Sequence, residues 1–413
     1  MTERATGGAA INRDTVLIRA PELTVHVHSN AAVEISCDGA NFYGGVHALS
    51  VLDSFTEPRK LGDVVEEIGA RSARDFMTLT TTILEMCANG LLTPPDRGAV
   101  FPDFAGGWDG SSIHAKMLGD EQRTRAFLDA LAEVVQPSDV VVDIGTGTGV
   151  LALGAARAGA KRVFAIESSS IADVAAAMFE RNAALGPVEL VRGWSNRVSI
   201  PERASVLVSE TVGNQALGEE IIESVLDANK RLLTPDARRI PSHIRIFAQP
   251  CEVPSALRNR HAFTPENVES WSSRYGIDFG PLRDVTRSGR KAPPADKPFF
   301  MVLELSEARG WKKLGPPTLL SEVDLAAPVP RFERSADMRF DVTGELQGVL
   351  EFFELTLSPS VTFDGHPDRV SLACSWSFPA WLLAKGRPVE AGTSMRVGYE
   401  YGNGKGKLTL PPA

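Results

Sequence analysis

The chain has few cysteines, four in 413 residues, and none of Cys37, Cys87, Cys251 and Cys374 forms a C-x-x-C pair. That spacing gives no basis for a disulfide framework or a zinc site, and points instead to four separate thiols in a reducing compartment. No apolar run approaches eighteen residues and no N-terminal segment has the order of a secretory signal, so the expectation is a cytoplasmic protein that stays off the membrane. Positive charge is also short: 43 Lys and Arg against 52 Asp and Glu leave a net charge of -9. Neither nucleic acid nor an anionic membrane suits that balance, whereas a cationic substrate does. The remaining composition, 43% hydrophobic and 23% charged, is that of a soluble globular protein long enough for two or three domains.

The stretch from Val140 to Glu220 organises the rest. Val140-Val141-Val142 runs into Asp143-Ile144-Gly145-Thr146-Gly147-Thr148-Gly149, a small-residue helix follows, and Arg162 to Ile166 forms a second apolar strand ending in Glu167. Strand, glycine turn, helix and strand make the βαβ unit of a doubly wound, Rossmann-like α/β sheet. The dinucleotide fingerprint would need glycine at position 150, where Val150 stands. With Asp143 beside the turn, a ligand carrying an ammonium and a positive sulfur fits better than a pyrophosphate, which points to S-adenosylmethionine. Glu167 suits a pair of ribose hydroxyls. The alternative, a turn that only packs a helix on a strand, leaves both acids without a purpose.

Around this core the chain divides into a polar tail (1–14), a small domain (15–95), a Gly-, Pro- and Asp-rich linker (96–112), the sheet domain (113–248) and a β-rich remainder (249–413). The small domain reads as a hairpin, Leu23 to His28 with Val33 to Ser36, followed by helices near 46–55, 61–69 and 74–89. His26 and His28 alternate with valines, as strand residues facing solvent do. In the sheet domain, His114, Met117 and Arg123 fall on a turn and helix that can share one side facing the cofactor. Ala204 to Ser209 is a further strand, and Glu210 and Glu219 bracket the short loop after it. Two carboxylates that close repel unless a cation lies between them, and a planar guanidinium offers paired N–H groups to each. A solvated acidic loop at a helix N-terminus is the competing reading, and it fits Glu220 better than Glu219.

Several of these runs resemble the catalytic core of the protein arginine methyltransferases. They are Ile113-His114-x-x-Met117-Leu118-x-Asp120-x-x-Arg123-Thr124, Asp143-x-Gly145-x-Gly147-x-Gly149, Ala165-Ile166-Glu167, and Ser209-Glu210-x-x-Gly213 with Glu219 nine positions after Glu210. Leu232-Leu233-Thr234-Pro235 with Ile240-Pro241 is similar to the segment leading out of that core. His261 to Phe279 resembles the family's dimerisation arm (about 255–285). Strands expected at 301–305, 346–357 and 370–377 suit its β-barrel-like domain, with Cys374-Ser375-Trp376 in place of a Thr-His-Trp loop. The resemblance implies a homodimer and methyl transfer to a guanidino nitrogen, with S-adenosylhomocysteine as the other product. It implies that Arg123, Asp143, Gly145, Gly147, Gly149, Glu167, Ser168, Ser195, Asn196 and Glu210 hold the cofactor. Glu210 and Glu219 are then the catalytic pair, with His114, Met117 and Trp376 beside the substrate.

This chain departs from the family at Ser375, at Asn196, and in the loop, where Asn214, Gln215 and Gly218 replace bulky aromatics. These changes touch substrate access, and favour free L-arginine or a small guanidine on a natural-product pathway over a protein. A peptide is the second reading. The Phe42 to Leu52 helix, the Leu61 to Ile68 segment and Gly90-Leu91-Leu92 resemble the PqqD-like winged-helix domains that recognise leader peptides.

Overall fold

The computed structural model describes residues 12–411 apart from 21–22, 28–32, 38–39, 45–46, 71, 89–90, 96–110, 262–264, 285–297 and 403. The tail up to residue 11, most of the expected linker, and His28 lie outside the described residues.

Five parallel strands form the centre of the molecule. Val140–Ile144, Arg162–Glu167 and Val188–Arg192 lie side by side in chain order. Ala204–Ser209 is then added on the other side of Val140–Ile144, and Leu233–Ile240 beyond it. The three inner strands are apolar on both faces, as buried parallel strands must be, and Val141, Val142, Val163, Phe164 and Val206 have no exposed surface. The chain reverses its direction of build between Val140–Ile144 and Ala204–Ser209. In doubly wound sheets ligands bind at that reversal, outside the carboxyl ends of the strands. The glycine turn leaves one of these two strands and Glu210 ends the other. Leu233–Ile240, expected to lead out of the core, is its fifth strand. It lies at the edge, where Pro235 costs no ladder hydrogen bond.

The antiparallel region begins with His243–Glu252, which pairs with Gly344–Thr356 and Thr318–Asp324. Phe378–Val389 joins the far side of Gly344–Thr356, and Phe299–Leu303 follows it. A second sheet holds Arg331–Arg339, Ser394–Gly402 and Lys405–Thr409. One continuous apolar core joins the parallel and antiparallel regions. The arm contains helices Ser255–His261 and Pro265–Tyr275, and Phe279 sets its ring edge-on to both Trp271 and Tyr275.

Three expectations fail here. Residues 370–377 alternate like a strand but form an irregular loop. Their N–H groups bond to side chains of other elements, Ser371 to Gln122, Ser375 to Asp120 and Ser377 to Asn214, instead of to a neighbouring strand. Leu305 begins a short helix, Leu305–Ala308, closed by a capping box between Glu304 and Glu307. In the small domain, Phe42 and Tyr43 belong to a strand, Ala40–Gly44, paired with Val33–Cys37, and the helix starts only at Ala48.

The small domain has its own core, with Leu17, Ile35, Val51, Phe55, Val64, Leu79, Ile83, Met86 and Leu92. The expected hairpin pairs Thr24–Val27 with Val33–Cys37, and His26 lies opposite Glu34. Val16–Arg19, which the sequence reading did not pick out, ties both ends of the domain together by pairing with Arg59–Lys60 and Leu92–Thr93. No described helix is long and apolar enough to cross a membrane.

Candidate active site

The glycine turn is made possible by its backbone. Gly145, Gly147 and Gly149 all have positive φ, at 74°, 55° and 87°, where side chains with a Cβ are strained. Gly147 also lets His114 approach, since a Cβ there would stand 3.3 Å from the imidazole Cε1. The turn is fixed from both sides by acids. Thr146 Oγ1 donates to Asp143 Oδ2 at 2.5 Å, and Glu167 accepts from Gly147 N at 2.8 Å and Ser169 N at 2.9 Å. Asp143 Oδ1 is buried with no hydrogen-bond partner. Burial pushes the Asp143 carboxyl up to about 7, with the nearby Glu167 charge adding to it.

His114, Met117, Arg123, Gly145, Gly147 and Glu210 line one cleft of about 450 Å³, counted with its open mouth. His114 and Met117 come from the helix Ser111–Gly119, and Arg123 from Glu121–Val134. Asp120 joins the two helices by capping the second, and its Oδ1 accepts from Arg123 N. Arg123 is buried. It donates to Glu210 Oε2 at 2.6 Å and to the Met117 carbonyl at 3.2 Å, and its guanidinium lies 5.7 Å from the Trp376 ring centre. Burial pushes the Glu210 carboxyl up to about 7, and Arg123 is the main influence holding it down. Glu219 is pushed up to about 8, first by burial and then by the charge of Glu210.

Glu219 packs on Gly213, where a Cβ would meet both its Cγ and its Oε1 at 3.1 Å. The loop between the glutamates is therefore curled back on itself, closed by Gly218 N on the Gln215 carbonyl at 2.7 Å. Glu220 begins the next helix in the left-handed region, with φ 59°, and its side chain is exposed, as the sequence led us to expect.

Residues from the antiparallel region hold this loop. Trp376 Nε1 donates to the Val212 carbonyl at 2.6 Å, Ser377 N to Asn214 Oδ1 at 2.7 Å, and Tyr401 Oη to the Leu217 carbonyl at 3.2 Å. Ser375, in the place of the histidine, gives both its N–H and its hydroxyl to Asp120 Oδ2, at 2.8 and 3.1 Å. Trp376 thus reaches the site from beneath, through the loop and Arg123, and is itself packed between Phe353 and Phe363. Asn196 is exposed, and Ser195 offers its carbonyl to Arg231 at 2.6 Å. Neither lines the cleft. Sequence reasoning quoted Asp120 within a run but gave it no task, and gave none to Thr146 or Tyr401. The short reach from Asp120 to Arg123, an N-cap spacing, was the one available signal.

The donor set fits S-adenosylmethionine. A buried carboxylate oxygen without a partner, an acid held by backbone N–H groups at the second strand end, and a glycine turn without Cβ atoms together suit an ammonium and a nucleoside.

Comparisons agree with this geometry. Residues 118–271 match the family model of the ribosomal protein L11 methyltransferases. The chain is 31% identical to Arabidopsis thaliana protein arginine N-methyltransferase PRMT10 over 237 residues, 55% of this chain and 60% of that one. It is 32% identical to protein arginine N-methyltransferase 1 of Schizosaccharomyces pombe over 174 residues, 41% and 49% of the two chains. In both cases the chain spans less than two thirds of the relative's length. Among solved structures, the Trypanosoma brucei PRMT1 enzyme–prozyme complex with AdoHcy superposes with a TM-score of 0.57 at 22% identity. Arabidopsis protein arginine methyltransferase 10 does so with 0.55 at 24%, and each match covers 71% of this chain and 88% of the other, which establishes the fold. Over about half of its length the chain is similar to protein arginine N-methyltransferases, and it shares the fold of their solved structures.

Proposed function

We propose that the protein methylates a guanidino nitrogen of arginine, using S-adenosylmethionine. The observation that carries this is the pair Glu210 and Glu219, two buried carboxylates on one curled loop, the first of them lining the glycine-turn cleft and both pushed well above the usual carboxylate range. Burying two like charges together is costly unless a cation joins them. Arg123 satisfies one oxygen of Glu210. A second guanidinium, from a substrate, is the group that would let both acids ionise.

When bound, S-adenosylmethionine supplies an electrophilic methyl and leaves as S-adenosylhomocysteine. Arg123 would hold its carboxylate, Asp143 its ammonium, and Glu167 and Ser168 the ribose. Glu210 and Glu219 accept N–H bonds from the substrate guanidinium and draw its positive charge toward the nitrogens they touch, leaving electron density on the third. Because a guanidinium stays protonated at any working pH, positioning and charge placement do the work rather than prior removal of the proton, and the methylated nitrogen gives up its proton as the methyl arrives, to Glu219 and then to solvent.

As substrate we propose free L-arginine or a small guanidine. Asn214, Gln215 and Gly218 leave the loop without aromatic walls, and Asn214 is tied to Ser377 at its entrance. The second reading, an arginine in a peptide, is supported by the separately cored small domain, whose helix Ala73–Ala88 exposes Phe76, Met77 and Leu84. We also propose a homodimer through the arm, where Tyr275 and Ile277 are exposed. Mass spectrometry after incubation with S-adenosylmethionine and L-arginine tests the activity. Methylated arginine that disappears with Glu210→Gln supports it. No product from arginine or from arginine-containing peptides, with the cofactor bound, overturns it.

A further inference from the structure

Glu351 is a buried acid for which the chemistry above has no use. It lies on Gly344–Thr356 opposite Ala248, is only 2% exposed, and forms no ion pair among the described residues. Instead, three donors converge on its carboxylate: Trp381 Nε1 at 2.9 Å, Gln215 Nε2 at 3.4 Å to each oxygen, and Tyr399 Oη at 3.4 Å. Gln215 belongs to the loop between Glu210 and Glu219, and its Nε2 also reaches the Gly406 carbonyl at 3.2 Å. A buried acid is expensive, and the energy recovered from three neutral donors only partly offsets the loss of hydration. Burial accordingly pushes its carboxyl up, against the hydrogen bonds from Trp381, Gln215 and Tyr399.

The contacts lead onward to the catalytic pair. The Gln215 carbonyl lies 3.0 Å from the place a Cβ would take on Gly213 and on Gly218, and Gly213 is the residue on which Glu219 rests. Holding the Gln215 side chain therefore sets the curl of the loop, and the curl sets where the Glu219 carboxylate points. We propose that Glu351 is a positioning residue that fixes Glu219 through Gln215, rather than a residue that touches the guanidine. This rests on the arginine reading for its kinetic consequence, and on the contacts alone for its structural one.

The test compares Glu351→Gln, Gln215→Ala and the double variant with the unaltered chain. The amide at 351 keeps one acceptor oxygen for Trp381 but turns donors toward the Gln215 amide. Each single variant is expected to lower kcat for guanidino methylation about tenfold while S-adenosylmethionine binding by calorimetry is unchanged, and the double variant is expected to lose about tenfold, not a hundredfold. Amide hydrogen exchange in 212–219 should rise in all three, with Val140–Ile144 still protected. Multiplying kinetic losses, or unchanged exchange in that loop, overturns the proposal. If the unaltered protein methylates no guanidine, the arginine reading fails. The exchange measurement then decides the role of Glu351 by itself, and Gln215→Ala, at a half-buried position, keeps it decisive should Glu351→Gln not fold.

Discussion

The two halves of the site are built in opposite ways. On the cofactor side, the side-chain hydrogen bonds that shape the turn come from within a single βαβ unit: Asp143 to Thr146, Glu167 to Gly147 and Ser169. On the acceptor side, the loop carrying Glu210 and Glu219 is held by Trp376, Ser377, Tyr401 and Glu351, all from the antiparallel region. The first half is local and largely backbone, while the second is a loop that takes its shape from distant side chains. Binding the methyl donor and placing the acceptor should therefore be separable by mutation.

The sharpest break is Glu219→Gln. It should lower kcat on a guanidino substrate roughly 100- to 1,000-fold, as loss of a charge-stabilising group does, with cofactor affinity unchanged by calorimetry. Glu167→Ala should do the reverse, weakening S-adenosylmethionine roughly 10- to 100-fold in the same titration. Next comes pH. Both loop acids must be ionised to hold a guanidinium, and both are raised, so kcat/KM should climb with pH through about 7 to 8 and level off above. Cofactor binding should rise only through about 7, where Asp143 ionises to meet the ammonium, and should not follow the upper limb near 8 that Glu219 sets. Trp376→Phe keeps an aromatic ring, though a smaller one, and leaves the Val212 carbonyl without its donor, and should cost about tenfold in kcat with little change in cofactor affinity. The smallest effect is expected for Asn196→Ala. At an exposed position outside the cleft, it should change cofactor affinity by no more than about twofold, and a larger loss would extend the cofactor half beyond its own βαβ unit.

The same contrast explains what the sequence made readable. Asp143, the three glycines and Glu167 are legible because their spacing alone dictates a turn and two strand ends. Glu210 and Glu219 are legible as a pair, since both lie on one short connection. The anchors are not. Residues 370–377 alternate apolar and small residues as a strand does, and only the donors' partners, Gln122, Asp120 and Asn214, reveal a loop. Glu351 sits in Val349-Leu350-Glu351-Phe352-Phe353, where its charge alone would put it on a solvent face. That strand is buried on both faces, so the rule gives the wrong side. Likewise the run around Phe42 carries helix-like apolar spacing, and pairing with Val33–Cys37 overrides it.

The bonds that hold the double-glutamate loop span 136 residues to Glu351 and 184 to Tyr401. A growing polypeptide thus completes the turn around Gly147 long before the ribosome has made the residues that seat Glu219. Glu219 can therefore take its place only after Glu351 and Tyr401 have been made and have folded back onto the loop.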